Sequence, residues 1–175
     1  CDCCPIFRTT ATKPRSQKKF MATNAIPPQE QIKISLANAS DFARIHAIDS
    51  ETNISPWTVE QVKSSFNAGH IALKATLESE LIGFLIYESI FPEIHLLSVA
   101  VDKTHQGKGI GRLLMQTLFQ QAKVQDMQII YLEVRQSNQK AITLYESFGF
   151  KVDAVRVDYY KKPKPEDALL MSIAL

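Results

Sequence analysis

The sequence predicts a single α/β domain with a mixed, mostly antiparallel sheet, one parallel crossover between its fourth and fifth strands, and flanking helices. Three observations predict it. Short β-branched and aliphatic runs alternate with stretches of helical apolar spacing along residues 32–175. Ile71–Leu77 and Leu81–Ile90 are separated only by Glu78-Ser79-Glu80, which reads as a hairpin. The apolar run Leu96–Val101 leads into Gln106-Gly107-Lys108-Gly109-Ile110-Gly111-Arg112 and then a helix, the pattern of a strand whose successor returns parallel.

In chain order, Ile32, Ile34 and Leu36 alternate and make the first strand. Asn38–Asp41 supplies helix caps, and Phe42, Ile45, His46 and Ile48 form a short amphipathic helix that Ser55-Pro56-Trp57 breaks. Thr58 and Gln61 form a capping box for a second helix, with Val59, Val62 and Phe66 on one face and Gly69 closing it. The hairpin follows, then the strand Ile94–Val101. A helix starts at or just after Gly109, because Ile110, Leu113, Leu114, Thr117, Leu118 and Gln121 recur at helical spacing. Ile129–Val134 is a fifth strand. Asn138–Phe148 is a helix with Ala141, Ile142, Tyr145 and Phe148 inward, ended by Gly149. Val152–Tyr160 and Leu169–Ala174 are the last strands, joined by a loop over Lys161–Asp167.

The chain has 175 residues, 45% hydrophobic and 22% charged, enough to bury one real core. No apolar run approaches the roughly 20 residues that span a bilayer, so no membrane association is expected. Arg8, Lys13, Arg15, Lys18 and Lys19 stand against Asp2 in the first 20 residues, a net of +4; with +2 for the whole chain, the remainder carries −2. A slightly acidic domain argues against a nucleic-acid face and suits a basic peptide. Cys1, Cys3 and Cys4 leave no cysteine to staple the domain, which fits a reducing, cytoplasmic setting. They lack a second ligand cluster, so no metal is expected. Met21-Ala22-Thr23 would make an ordinary start and Pro27-Pro28 reads as linker. Residues 1–31 are therefore expected to be an extension and linker, 32–175 the domain, and the first 20 dispensable.

Strand, glycine turn and helix N-terminus together build an anion site, because glycines let backbone N–H groups approach the ligand and the helix dipole favours negative charge. A dinucleotide fingerprint would need Gly at Arg112, and P-loop spacing is absent. The pattern instead resembles the turn with which N-acetyltransferases of the GNAT superfamily grip the pyrophosphate of acetyl-coenzyme A. On these residues alone, a glycine connection with no ligand remains the alternative. The element order over about residues 32–175 is similar to the same fold. The resemblance implies acetyl-coenzyme A as co-substrate, with Gln106, Gly107, Lys108, Gly109, Ile110, Gly111 and Arg112 at its phosphates. It also implies a bulge that splays the fourth strand from the fifth, so that the backbone of Val99, Ala100 and Val101 meets the pantetheine arm and thioester carbonyl. By side chain alone those three are core.

A closer match runs through Tyr131-Leu132-Glu133-Val134-Arg135-Gln136-Ser137-Asn138 and through Ala141-Ile142-Thr143-Leu144-Tyr145-Glu146-Ser147-Phe148-Gly149-Phe150. With Ser55-Pro56-Trp57, Val157-Asp158-Tyr159-Tyr160 and Glu166-Asp167-Ala168-Leu169-Leu170-Met171, these segments resemble the bacterial ribosomal-protein-alanine N-acetyltransferases. That resemblance implies Glu133 as general base, Tyr145 as general acid, Asn138 as a hydrogen-bond partner of the pantetheine arm, and Trp57, Tyr159 and Tyr160 at the acceptor. His95 joins them by strand alternation. Read without the family, Glu133 interrupts an apolar strand and must face a cleft or solvent. Tyr145 would be a core aromatic, Asn138 an N-cap, and His95 and His105 structural histidines.

The function expected is direct transfer of acetyl to a protein N-terminal α-amine, that of the N-terminal alanine of a small-subunit ribosomal protein, in a ternary complex. A small amine or internal lysine is the alternative acceptor, and a non-catalytic acyl-coenzyme A sensor the alternative class. Having both Glu133 and Tyr145 favours catalysis. Ser98 lacks a Gly-x-Ser-x-Gly elbow, so no acyl-enzyme is expected. The chain is expected to act as a monomer or weak dimer. It departs from the family at Ser98, often Asn, at Gly107, often Arg, and at Asp158, often Asn. The second leaves Lys108 and Arg112 as the nearby cations; the third bears on the acceptor groove.

Overall fold

In chain order the elements are β1 (Ile32–Leu36), α1 (Phe42–Thr52), α2 (Val59–Asn67), β2 (Ile71–Leu77), β3 (Glu80–Ile90), β4 (Glu93–Val101), α3 (Ile110–Val124), β5 (Ile129–Arg135), α4 (Gln139–Glu146), β6 (Lys151–Tyr160) and β7 (Glu166–Ala174). The computed structural model describes residues 31–161 and 163–175; the expected N-terminal extension lies, but for Gln31, outside the described residues. The strands form one seven-stranded sheet in the order β1-β2-β3-β4-β5-β7-β6. All neighbours are antiparallel except β4 and β5.

The local chemistry explains the elements. Thr58 and Gln61 close the expected capping box on α2, each side chain bonding the other's backbone N–H. The β3 side chains alternate between two cores. Leu85 and Tyr87 pack with Ile110, Leu114, Met115 and Leu118 of α3, whereas Phe84 and Ile86 pack with Ile45, Ile48 and Val62 of α1 and α2. Each such fully buried aliphatic side chain stabilises the fold by about 1.5–3 kcal/mol, so both helical layers are fastened to the sheet. Gly83 lets α3 begin close to it, since a Cβ there would meet the Ala100 carbonyl oxygen at 3.2 Å and Ile110 Cγ2 at 3.3 Å. No helix among the described residues is long and apolar enough to cross a membrane.

One irregularity positions the site. Against β3, the register of β4 shifts, so that Tyr87 faces Leu96 and Ile86 faces Ser98, leaving Leu97 as a bulge. The parallel pairing of β4 with β5 stops at that point, spanning only Glu93–Leu96 against Ile129–Leu132. Beyond it, β4 stays with β3 as far as Val101, and β5 runs with β7 as far as Arg135. The sheet therefore parts into two halves with an open wedge between them. The last strand starts at Glu166 rather than at Leu169: Tyr160 pairs with Glu166 after a second bulge, between Arg156 and Tyr160. The acidic pair Glu166-Asp167 hides that extension in the sequence, because its strand character comes from backbone pairing and side-chain bonds rather than apolar alternation.

Candidate active site

The glycine turn is braced before it begins. Asp102 accepts hydrogen bonds from the Thr104 N–H at 2.9 Å, the Thr104 hydroxyl at 2.5 Å and Arg44 Nη2 at 2.7 Å. The Thr104 hydroxyl, more than the guanidinium, holds its carboxyl well below the usual carboxylate range. Gln106 Nε2 donates to the Val101 carbonyl at 3.1 Å, so this side chain fastens the turn to β4. Gly107 and Gly109 then take φ of 76° and 83°, the left-handed region that glycine enters without a Cβ penalty. Gly109 caps the 15-residue α3, whose first amide groups have no partner inside the helix. Nothing lies within 4 Å of where a Gly107 Cβ would stand. Gly111 brings α3 against α4, with its Cβ position 3.4 Å from Leu144 Cδ2. Ile110 is buried in the core, and Lys108 is half-buried beside the turn. Arg112 points along α4: Nη2 donates to the Ser147 hydroxyl at 2.8 Å and the guanidinium lies 5.2 Å from the Phe148 ring centre.

The wedge holds a cavity of about 370 Å³. Leu97, Ser98 and Val99 line one side, Glu133 to Arg135 the other, and Asn138, Ala141 and Tyr145 of the α4 region the end. A second cavity, about 630 Å³, is lined by His95, Tyr131, Asp153, Arg156, Tyr159 and Met171. The two share Trp57, Leu96, Leu97, Leu132, Glu133 and Tyr160, so Glu133 stands where they meet. On β4, Val99 faces the wedge, while Ala100 is buried toward α1 and α2 and Val101 packs on the other core.

Tyr145 and Glu133 differ sharply in environment. Tyr145 is 6% exposed, and burial, with a smaller push from Tyr160, drives its pKa well above the ordinary phenol value. Its hydroxyl has no hydrogen-bond partner among the described residues. Glu133 Oε1 accepts from Arg156 Nη1 at 2.6 Å. The Tyr159 hydroxyl also hydrogen-bonds Glu133, which raises the phenol's pKa. Tyr160 is raised chiefly by burial and then by the Glu133 charge. Asn138 is the N-cap of α4, accepting from the Ala141 N–H at 3.2 Å, and it also borders the wedge. His95 stacks on Tyr131 with ring centres 5.4 Å apart, and its Nε2 lies 3.2 Å from Glu93.

Several supports escaped the reading of the sequence. Asp49 is 2% exposed, accepts from the Trp57 N–H at 2.6 Å and from the Asn53 amide, and is raised by burial. His46 Nδ1 lies 2.8 Å from the Trp57 carbonyl, so the tautomer with a proton there pins the other backbone group of the same residue. The signal was present: Asp49 follows Ile45 and Ile48 on the apolar face of α1, where a carboxylate needs partners. Arg135, 9% exposed, donates to Glu166 at 2.9 Å and to the Ser55 hydroxyl at 2.8 Å, and lies 3.9 Å from the Tyr160 ring centre. Glu166 also accepts from the Ser137 N–H at 2.9 Å, and these bonds, Ser137 first, pull its carboxyl down to about 2. Asp158 sits in the β6 bulge at φ 51°, its N–H donating to Asp167 at 2.9 Å. Aspartate and asparagine are the non-glycine residues that enter this region most readily, so the family's Asn and this Asp suit the same kink.

An open wedge between the sheet halves, with a separate glycine-capped helix on the same domain, can accommodate a thioester on a long phosphate-bearing carrier, the substrate of an acyltransferase. The unpaired β4 edge, the left-handed glycines and the unpartnered Tyr145 hydroxyl fit acetyl-coenzyme A. The sequence profile of the acetyltransferase (GNAT) family matches residues 42–150, and the chain belongs to that family: it is an acetyl-coenzyme A-dependent N-acetyltransferase. It is 35% identical, over 81% of its length and 98% of the relative's, to a Haemophilus influenzae protein named [ribosomal protein bS18]-alanine N-acetyltransferase. The crystal structure of the Escherichia coli ribosomal-protein-S18-alanine N-acetyltransferase superposes with a TM-score of 0.78 at 29% identity, covering 82% of this chain and 93% of that one. Ard1 from Thermoplasma volcanium shares the fold, with a TM-score of 0.76 at 22% identity over 83% of this chain and 98% of that one.

Proposed function

We propose that this enzyme acetylates a protein N-terminal α-amine, that of the alanine heading a small-subunit ribosomal protein, by direct attack in a ternary complex. The observation that carries the reading is that Glu133 and Tyr145 border one cleft, Glu133 at its junction with a second cavity. Full-length similarity to the bS18-alanine enzymes supports the acceptor.

Bound acetyl-coenzyme A supplies the thioester. The amides of the Gly107–Gly111 turn and the first turn of α3 hold its phosphates, with Lys108 and Arg112 adding charge. The free edge of Val99–Val101 aligns the arm, and Asn138 borders it. The acceptor enters through the second cavity, between Trp57, His95, Tyr159 and Tyr160. An α-ammonium has a pKa near 7.7–8.0, so much of it carries an extra proton at neutral pH. Glu133 takes that proton, directly or through a water, and so frees the lone pair with which the nitrogen attacks. The C–N bond forms, the C–S bond breaks, the Tyr145 hydroxyl gives its proton to the departing sulfur, and the second proton shed by the acylated nitrogen restores the phenol through solvent. Burial keeps the phenol protonated, so its O–H stays available to the departing sulfur as the thiolate develops.

Mass spectrometry of ribosomal proteins from cells with and without the gene tests the acceptor. The expected result is loss of the acetyl group from an alanine N-terminus of the small subunit. Unchanged ribosomal N-termini, with acetyl lost from a small amine or an internal lysine, would move the acceptor elsewhere.

A further inference from the structure

Glu133 is occupied before any acceptor arrives. Arg156 Nη1 lies 2.6 Å from its Oε1, and the two side chains are 51% and 33% exposed. This pair differs from the nearby Arg135, whose guanidinium is buried and shared among Glu166, Ser55 and the face of Tyr160. Arg156 instead borders the second cavity and otherwise meets only Tyr159 among the described residues, at its hydroxyl and over its ring, 5.2 Å from the ring centre. A guanidinium held by one exposed carboxylate and one exposed tyrosine can leave the carboxylate at small cost, because solvent screens exposed ion pairs. It is also the last residue paired to β7 before the bulge, so the ladder beside it is interrupted on one side.

The acceptor poses a problem of charge. An α-ammonium bound for Glu133 meets a cation already on it. The other polar and titratable groups from β4, β5 and β6 that line the same cavity are His95, Tyr131, Asp153, Tyr159 and Tyr160. Asp153 has no ion pair or hydrogen bond among the described residues, and it is the bulged residue between Val152 and Ala154, at the rim of the cavity. Two carboxylates against one guanidinium leave the cavity short of positive charge, so a second cation is welcome.

We propose that Arg156 is an electrostatic gate: it holds Glu133 in the resting enzyme, yields the carboxylate to the acceptor's ammonium, and reclaims it once the product is a neutral amide. This deepens the proposed function and rests on Glu133 serving the acceptor amine. Substrate and product differ by one positive charge at the nitrogen. The exchange therefore admits the ammonium and favours release of the amide. While displaced, the guanidinium keeps its place over Tyr159. Arg156 is a positioning residue here; it touches neither the thioester nor the amine in the reacting state.

The test uses an eight-residue peptide beginning with alanine. Its KM is measured by steady-state kinetics, and its Kd by calorimetry on the enzyme saturated with coenzyme A. Arg156→Gln removes the competing charge, so both constants should fall by about threefold, the scale of an exposed ion pair, with KM changing more than kcat. Arg156→Lys keeps a cation and should stay near the parent. In a Glu133→Gln background, Arg156→Gln should leave Kd unaltered. A KM or Kd that rises or stays level in Arg156→Gln, with Glu133→Gln slow, overturns the gate while leaving the base in place. A Glu133→Gln enzyme with parental turnover overturns the base assignment and the gate with it.

Discussion

Tyr145 keeps its O–H available to the leaving sulfur because it is hard to ionise. Its raised pKa keeps the phenol neutral through and beyond the ordinary tyrosine range near 10. Ionisation of Tyr145 therefore cannot cause a fall in rate on the alkaline side below about pH 10. Rate–pH profiles of the parent and Tyr145→Phe should have the same shape up to that point and differ in height; an alkaline fall present only in the parent would contradict the assignment. Glu133→Gln should regain rate as pH rises and the amine frees itself, whereas Tyr145→Phe should not. Asp49 acts one step further out. Its two oxygens accept from the Trp57 N–H and the Asn53 amide, and Asn at this position would offer one oxygen and one NH₂. Asp49→Asn thus sets a donor against a donor in a buried spot, at a cost of about 1–3 kcal/mol. The loosened Trp57 loop should raise the acceptor's KM more than it lowers kcat, and thermal melting with peptide kinetics checks both.

Among the elements, the glycine turn carries the cleanest experiment. Any side chain at Gly109 is strained at φ 83°, so a loss caused by Gly109→Asp alone would mix strain with charge. Asn and Asp share shape and tolerance of that region. The difference in acetyl-coenzyme A affinity between Gly109→Asn and Gly109→Asp isolates repulsion of phosphate, expected to exceed about tenfold. Equal affinities by calorimetry would remove the phosphates from this turn. The turn was legible because its glycines and the apolar run before it are both visible in the sequence. The wedge itself was expected only from family resemblance. Leu97 stands in the apolar run Ile94–Val101, and nothing in its composition marks the one residue that slips out of register. In the sequence Arg156 and Arg135 are both single arginines in or beside strand stretches, and nothing in their neighbours tells them apart. Only the fold separates the exposed partner of Glu133 from the buried clasp of Ser55 and Glu166.

At the scale of the molecule, the split sheet has to be held open and yet rigid. Arg44 of α1 ties the end of β4 through Asp102 at 2.7 Å and reaches the β3 side through the Leu81 carbonyl at 3.0 Å. The folded Asp102 carboxyl lies below its unfolded value. Its stabilisation is therefore present above about pH 3.9 and is lost as pH falls through the folded value. Asp102→Asn should lower the thermal midpoint at neutral pH, and the gap to the parent should narrow as the solution is acidified. A gap constant from pH 7 to pH 3, followed by calorimetry, would show that the charge contributes nothing.

The central claim is that the two halves of the sheet bring one carboxylate and one buried phenol to bear on a single acyl transfer. The most direct measurement is the rate of thioester consumption with an alanine-initiated peptide by the parent, Glu133→Gln and Tyr145→Phe enzymes. Each variant should lose about 10²–10⁴-fold in kcat while binding acetyl-coenzyme A nearly as tightly as the parent. Parental turnover in both variants would contradict the account.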